Sequence, residues 1–188
     1  MSGSLVLTYG PATDAKYADA FEITGVTGTF SNSNNGLGIS GAPVLGLVGV
    51  THSIPESANL LAPHNFSRFA VASGLSPVSN GFLTYDNLFW PGGSPQTASD
   101  YPPHGGVLDI YGLMFRIGDN RVVDVWSNGD FGAGADYGVA LATTDAALDY
   151  VAGGVTASIA PVPLPGSAWM LAGGLLALLV WRRPRTAA

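Results

Sequence analysis

The sequence predicts an all-β body, an antiparallel β-sandwich or jelly-roll-like fold, and three observations lead there. The 188 residues include 26 glycines and 13 prolines, which interrupt the chain too often for long helices. Apolar residues recur in short runs or in alternation, the pattern of buried and half-buried strands. No segment before residue 166 carries the period of about 3.6 residues that marks an amphipathic helix.

The elements follow in order. Leu5, Leu7 and Tyr9 alternate in S-L-V-L-T-Y and open the first strand. Phe21 and Ile23 follow in A-F-E-I-T, and 26–30 is rich in β-branched and aromatic side chains, which suit a pleated surface. Residues 31–36 read S-N-S-N-N-G, a turn cluster in which Asn and Gly tolerate positive φ. Over 37–50 glycine alternates with Leu, Ile and Val, which predicts a weak or bulged strand pair. The clearest hairpin is expected at 107–126. Val107, Asp109, Tyr111, Leu113, Phe115 and Ile117 share one face of an eleven-residue strand, Gly118-Asp119-Asn120 turns, and 121–126 returns. Asp109 is out of place on that apolar face. Residues 137–142 and 151–159 read as the final strands, giving eight to ten in all, with no repeat of fixed period.

Charge narrows the functional classes. Charged residues make up only 11% of the chain, against about 25% in an average soluble domain. Three of the seven basic residues, Arg182, Arg183 and Arg185, stand within the last seven positions. Residues 1–181 therefore carry four basic and thirteen acidic groups, a net of −9. Such a body repels phosphate backbones, so no nucleic-acid partner is expected. Cysteine is absent, which excludes disulfides and thiolate metal sites.

The C-terminal segment breaks the pattern. Residues 160–166 read A-P-V-P-L-P-G, an extended, semi-rigid spacer. Ser167 is a suitable N-cap, and 168–181 is uncharged. As a helix, 167–181 spans about 22 Å at about 1.5 Å per residue, short of a hydrocarbon core of about 30 Å. Trp169 and Trp181 are spaced to sit at two interfaces, and the arginines beyond can reach head groups. Gly173 and Ala177 form a small-xxx-small pair of the kind that packs helices. The expected organisation is a β-rich exported body at 1–160, a Pro-rich linker at 161–166, a transmembrane helix at 167–181 and a basic cytoplasmic tail at 182–188.

The order of spacer, apolar helix and terminal arginines resembles the PEP-CTERM sorting tail of exosortase-dependent bacterial proteins, in its V-P-L-P form. The matching residues are Val162, Pro163, Leu164 and Pro165, then Trp169, Gly173, Gly174 and Leu175, then Arg182 and Arg183. The resemblance covers about 25 of the 188 residues. It implies a transient anchor in the bacterial inner membrane, recognition of the short motif by an exosortase (an integral-membrane thiol enzyme), and release to the cell surface or matrix. It also implies an association with exopolysaccharide and biofilm. The body resembles the N-terminal portions of other PEP-CTERM-bearing proteins, through Y-D-N-L-F-W-P-G-G-S-P at 85–95 and G-G-V-L-D-I-Y-G at 105–112; that likeness implies no biochemical role.

Positive-inside logic places the arginines in the cytoplasm and the body outside. The body then needs a leader, yet residues 1–10 hold no basic n-region and only the short apolar run Leu5-Val6-Leu7. A signal peptide upstream of Met1 is the favoured expectation; a tail anchor with a cytoplasmic body is the alternative.

Motifs for catalysis are sparse, and the expected role is structural or adhesive, without enzymatic activity or cofactor. His52, His64 and His104 show no metal-ligand spacing. No G-x-S-x-G elbow is present, and Ser40 and Ser94 read as turn residues. Asp119, Asp124, Asp130 and Asp136 cluster in sequence, and Asp130 and Asp136 lie in a Gly-rich stretch suited to calcium. A single imperfect copy of the repeat favours a solvated turn instead, and no metal site is expected. A carboxylate pair of glycosidase type is invisible to sequence. The remaining candidate is aromatic: Tyr85, Phe89, Trp90 and Tyr101 surround P-G-G-S-P. Exposed, they form a candidate ligand platform for exopolysaccharide, as in a carbohydrate-binding module; buried, they anchor a long loop, which is the commoner outcome.

Overall fold

The computed structural model describes residues 1–13, 17, 19–51, 61, 66–74, 81–157 and 160, with backbone alone at 11–13. The chain divides into two units, Met1–Ala157 and Ser158–Ala188. All described strand pairs are antiparallel. The regular elements are β1 (Ser2–Thr13), β2 (Phe21–Asn32), a 3-10 turn at Asn34–Gly36, β3 (Ile39–Pro43), β4 (Gly46–Leu47), β5 (Ser67–Ala70), β6 (Phe82–Tyr85), β7 (Leu88–Phe89), β8 (Leu113–Ile117), β9 (Arg121–Asp130), β10 (Ala135–Ala142) and β11 (Ala147–Val155). Among the described residues no helix is long and apolar enough to cross a membrane.

The first sheet has the order β1-β2-β3, with β7 paired to one end of β2; the second runs β11-β10-β9-β8-β4; β5 and β6 form a separate ribbon. Apolar side chains of the two sheets face each other in one core. Ile23, Val26, Phe30 and Ile39 meet Leu113, Phe115, Ile117, Val123, Val139 and Leu141, which makes the body sandwich-like. Strands β8 to β11 are sequential neighbours, a meander, so the strand order is not that of a jelly roll. A second core lies on the other face of the second sheet. Met114, Val122, Trp126, Ala140 and Ala142 pack there with Val71, Leu83 and Tyr85 of the ribbon region. Three layers result, and the middle sheet is covered on both faces. That coverage is why β10 is apolar at both parities, where a one-sided strand would alternate.

Several readings of the sequence are corrected. The run 107–117 is not one strand, because β8 begins only at Leu113. Asp109 belongs to a turn, not to the apolar face: its Oδ1 accepts from the Tyr111 and Gly112 amides at 2.9 and 3.1 Å. Gly112 then has φ +76, and a Cβ there would lie 2.1 Å from the Val125 carbonyl oxygen, so the bend requires glycine. Residues 37–50 do not pair with each other. The Val44 amide donates to Gly28 in the first sheet (2.9 Å) and the Leu45 amide to Arg116 in the second (2.8 Å), so the chain changes sheets between adjacent residues. The final strand is Ala147–Val155, earlier than 151–159, of which 158 and 159 lie outside the described residues. Eleven strands are described, and the two short runs at 21–30 are one strand.

The hairpin turn is where expected. Asp119 and Asn120 have φ of 61° and 56°, the consecutive left-handed pair of a type I′ turn, whose twist matches the flanking strands.

Candidate functional site

Burial decides the aromatic segment. Tyr85 ends β6 at 3% exposure, and its hydroxyl donates to the Gly49 carbonyl at 2.9 Å. Desolvation raises its pKa. Trp90 is 0% exposed and meets Tyr17 edge to face at 4.9 Å between centroids. Phe89, in β7, is half-buried against Tyr9 at 5.0 Å. Tyr101 is half-buried, and its hydroxyl bonds the Asn128 carbonyl and Oδ1 at 3.2 and 3.1 Å. Two of the four rings, those of Tyr85 and Trp90, are therefore interior, while Phe89 and Tyr101 are half-buried. Tyr85 and Trp90 act as loop anchors.

The same segment holds a feature that the aromatic reading passed over, the turn Asp86-Asn87. Asp86 Oδ1 accepts from the Leu88 amide at 3.1 Å, a local cap of the kind that holds Asp in turns. Asn87 has φ +56, which Asn adopts more readily than most residues. Its backbone carbonyl accepts from Ile23 of the first sheet at 2.9 Å. Its side chain bridges the second sheet: Nδ2 donates to the Val48 carbonyl at 2.8 Å, and Oδ1 accepts from the Met114 amide at 2.9 Å. The Asp86 and Asn87 amides both donate to the Gly112 carbonyl, at 3.2 and 2.9 Å. One asparagine thus ties β2, β8 and the segment after β4 together. The two sequence stretches 85–95 and 105–112 meet at these bonds.

Around this turn three carboxylates are buried: Asp86, Asp109 and Asp124, each no more than 4% exposed. Asp124 lies on the ribbon-side face of β9, paired across the sheet with Met114 and Ala140. Desolvation, then the charges of Asp86 and Asp109, hold its pKa well above the usual carboxylate range, against a backbone hydrogen bond from Val125. Burial thus favours the neutral, protonated form of the Asp124 carboxyl over the charged one. Asp109 Oδ2 and Asp124 Oδ1 have no hydrogen-bond partner among the described residues. All three carboxyl groups are held away from solvent.

A second polar network fastens the far end of β9. Asn128 Nδ2 donates to Asp136 Oδ2 and the Ala152 carbonyl at 2.9 and 2.7 Å, and Oδ1 accepts from Trp126 Nε1 at 3.0 Å. Trp126 stacks on Tyr150 at 5.5 Å between centroids and lies over Gly138, its cross-strand partner. A Cβ on Gly138 would lie 2.1 Å from the indole ring. Glycine is required here for close approach of an aromatic ring, a role that alternation alone does not announce.

The four aspartates clustered in sequence have different surroundings. Asp119 is in the hairpin turn with Arg121 at 3.3 Å, Asp124 is interior, and Asp136 is engaged by Asn128. Asp130 caps its own loop, accepting from the Gly132 and Gly134 amides at 2.7 and 3.0 Å, which is the solvated-turn arrangement. Among the described residues no three His, Cys, Asp or Glu side chains are grouped to hold a metal. His104 is exposed, and Ser94 is buried in the loop after Trp90. Ser40 is in β3, not a turn, where with Met1, Ser2, Ser31, Ser33, Gly38 and Ile39 it lines a groove of about 350 Å³. His52, His64, the motif Val162 to Pro165, Trp169, Gly173, Gly174, Trp181 and Arg182, Arg183 and Arg185 lie outside the described residues. Comparison with protein-family models, curated proteins and solved structures finds no match to the chain.

Proposed function

We propose that the chain is an exported bacterial surface or matrix protein, held for a time in the inner membrane by a tail at 161–188 and released by an exosortase. The single observation that carries this reading is the order of chemistry in the tail. A V-P-L-P motif at 162–165 is followed by an uncharged run at 167–181 and then by Arg182, Arg183 and Arg185. An apolar helix enters lipid because its backbone is internally satisfied, tryptophans favour both interfaces, and the arginines resist translocation. Proline carries no backbone N–H and disfavours helix, which suits a motif to be read by an enzyme at the membrane surface. In this reading the linker is extended and the tail helix is the single span.

The body serves a structural or adhesive role. Its buried acids and asparagines are engaged in tying sheets and turns together, which suits a module that must persist outside the cell. A carbohydrate-binding role through Tyr85 and Trp90 draws no support from their burial. The test is cellular: Pro163→Ala with Pro165→Ala is expected to leave full-length protein in the membrane fraction, by immunoblot, while the parent is released. Normal release of the double variant overturns the proposal.

A further inference from the structure

We propose that Asn35-Gly36 is a site of spontaneous deamidation, and that the reaction unlocks a clamp between the two sheets. The clamp is built on Asp149, a buried residue of β11. Its Oδ2 accepts from Asn32 Nδ2 at 2.7 Å, and its Oδ1 accepts from Asn35 Nδ2 at 3.0 Å and the Tyr150 amide at 2.9 Å. Asn32 in turn orders the loop, its Oδ1 accepting from the Asn34 amide at 2.8 Å. The turn between β2 and β3 is thereby fastened to the last strand of the second sheet by bonds that cross 114 and 117 residues of sequence.

Asn35 meets the chemical requirements. The Gly36 nitrogen attacks Asn35 Cγ, the bond from Cγ to Nδ2 breaks, and ammonia leaves, closing a five-membered imide. Water then opens the imide at either carbonyl, giving aspartate or isoaspartate; nothing is oxidised or reduced. Glycine as the following residue places no side chain in the way of ring closure. Asn34, Asn35 and Gly36 are all exposed, Asn35 is in the left-handed region at φ +52, and apart from its chain neighbours no residue comes within 4 Å of a Cβ built on Gly36. Opening of such a turn is cheap compared with opening of the core.

The molecule carries its own control. Asn128-Gly129 is the same dipeptide, yet both Asn128 amide hydrogens are engaged, by Asp136 and Ala152, and Oδ1 is held by Trp126 and Tyr101. The Gly129 amide, which would be the nucleophile, donates to Ser127 Oγ at 3.0 Å. Reaction at Asn128 requires the network to open first. At Asn35 the product replaces a donor to Asp149 with a second carboxylate, so attraction becomes like-charge repulsion at a buried acceptor.

The experiment incubates the full-length chain, in detergent, at mildly alkaline pH, with and without denaturant, and maps peptides by mass spectrometry. In the folded protein Asn35 is expected to convert at least about tenfold faster than Asn128, the factor that an opening cost of ~1.4 kcal/mol imposes; in denaturant the two rates converge. Asn35→Asp, which mimics one product, is expected to melt below Asn35→Ser, which loses the bond without adding charge. Retention of the Asn35 amide in the folded protein while the denatured chain converts overturns the site. Equal melting of the Asp and Ser variants overturns the clamp.

Discussion

Replacing Asn87 tests whether one side chain joins the layers. In Asn87→Ala the Val48 carbonyl and the Met114 amide lose their partners, and both residues are buried. A buried polar group left unsatisfied costs about 1–3 kcal/mol, so the pair accounts for roughly 2–6. Alanine must also hold φ +56, which adds about 1–2 kcal/mol. The sum is about 3–8 kcal/mol, comparable to the whole stability of a marginal domain. Asn87→Gly removes the same two bonds without the steric strain, but gains entropy in the unfolded chain; it is expected to lie about 1 kcal/mol above the alanine variant. The assay is equilibrium urea unfolding followed by tryptophan fluorescence, with unchanged slope required before midpoints are compared. A cost below about 1 kcal/mol for Asn87→Ala, or a glycine variant less stable than the alanine one, refutes the account.

Three further outcomes follow from the same geometry. Gly138→Ala drives a methyl group into the Trp126 indole and is expected to cost at least about 1–3 kcal/mol; combining it with Trp126→Leu should recover part of that loss, as read from a double-mutant cycle. Asp124 binds its proton more tightly folded than unfolded, so its contribution to stability is full below its ordinary value of 3.8 and is lost as pH rises toward the raised folded pKa. The slope is about 1.4 kcal/mol per pH unit in that window. Asp124→Asn should flatten the curve of unfolding free energy against pH above 4, and parallel curves would remove the assignment. Trp90→Ala should destabilise by about 3–5 kcal/mol, measured by denaturant midpoint, because a fully buried ring is lost; an unchanged midpoint would contradict its burial.

The turns were the most legible part of the sequence. Gly118-Asp119-Asn120 announced its turn because the requirement is local, set by the steric limits of a few residues; that Asp119 and Asn120 are both left-handed came from the structure. The strand at 121–126 was equally plain from its apolar residues. Asn87 was hidden in plain view: Y-D-N-L reads as an ordinary turn, and nothing in it says that the amide spans Val48 and Met114. Trp90 illustrates the opposite difficulty. Its type and its Pro-Gly neighbourhood fit both an exposed platform and a buried anchor, and only packing separates the two.

Composition and short-range pattern thus determined that the body is all-β and antiparallel, and where several of its strands and turns begin. They did so because backbone propensity and side-chain alternation act over a few residues. Which sheet each strand joins was decided by tertiary structure alone. Alternation sorts side chains onto two faces but names no partner, so β3 and β4, adjacent in sequence, separate into different sheets. The burial of the middle sheet on both faces, and the meeting of Asp86, Asp109 and Asp124 beside it, likewise arise from contacts between distant segments, whose energies no local window contains.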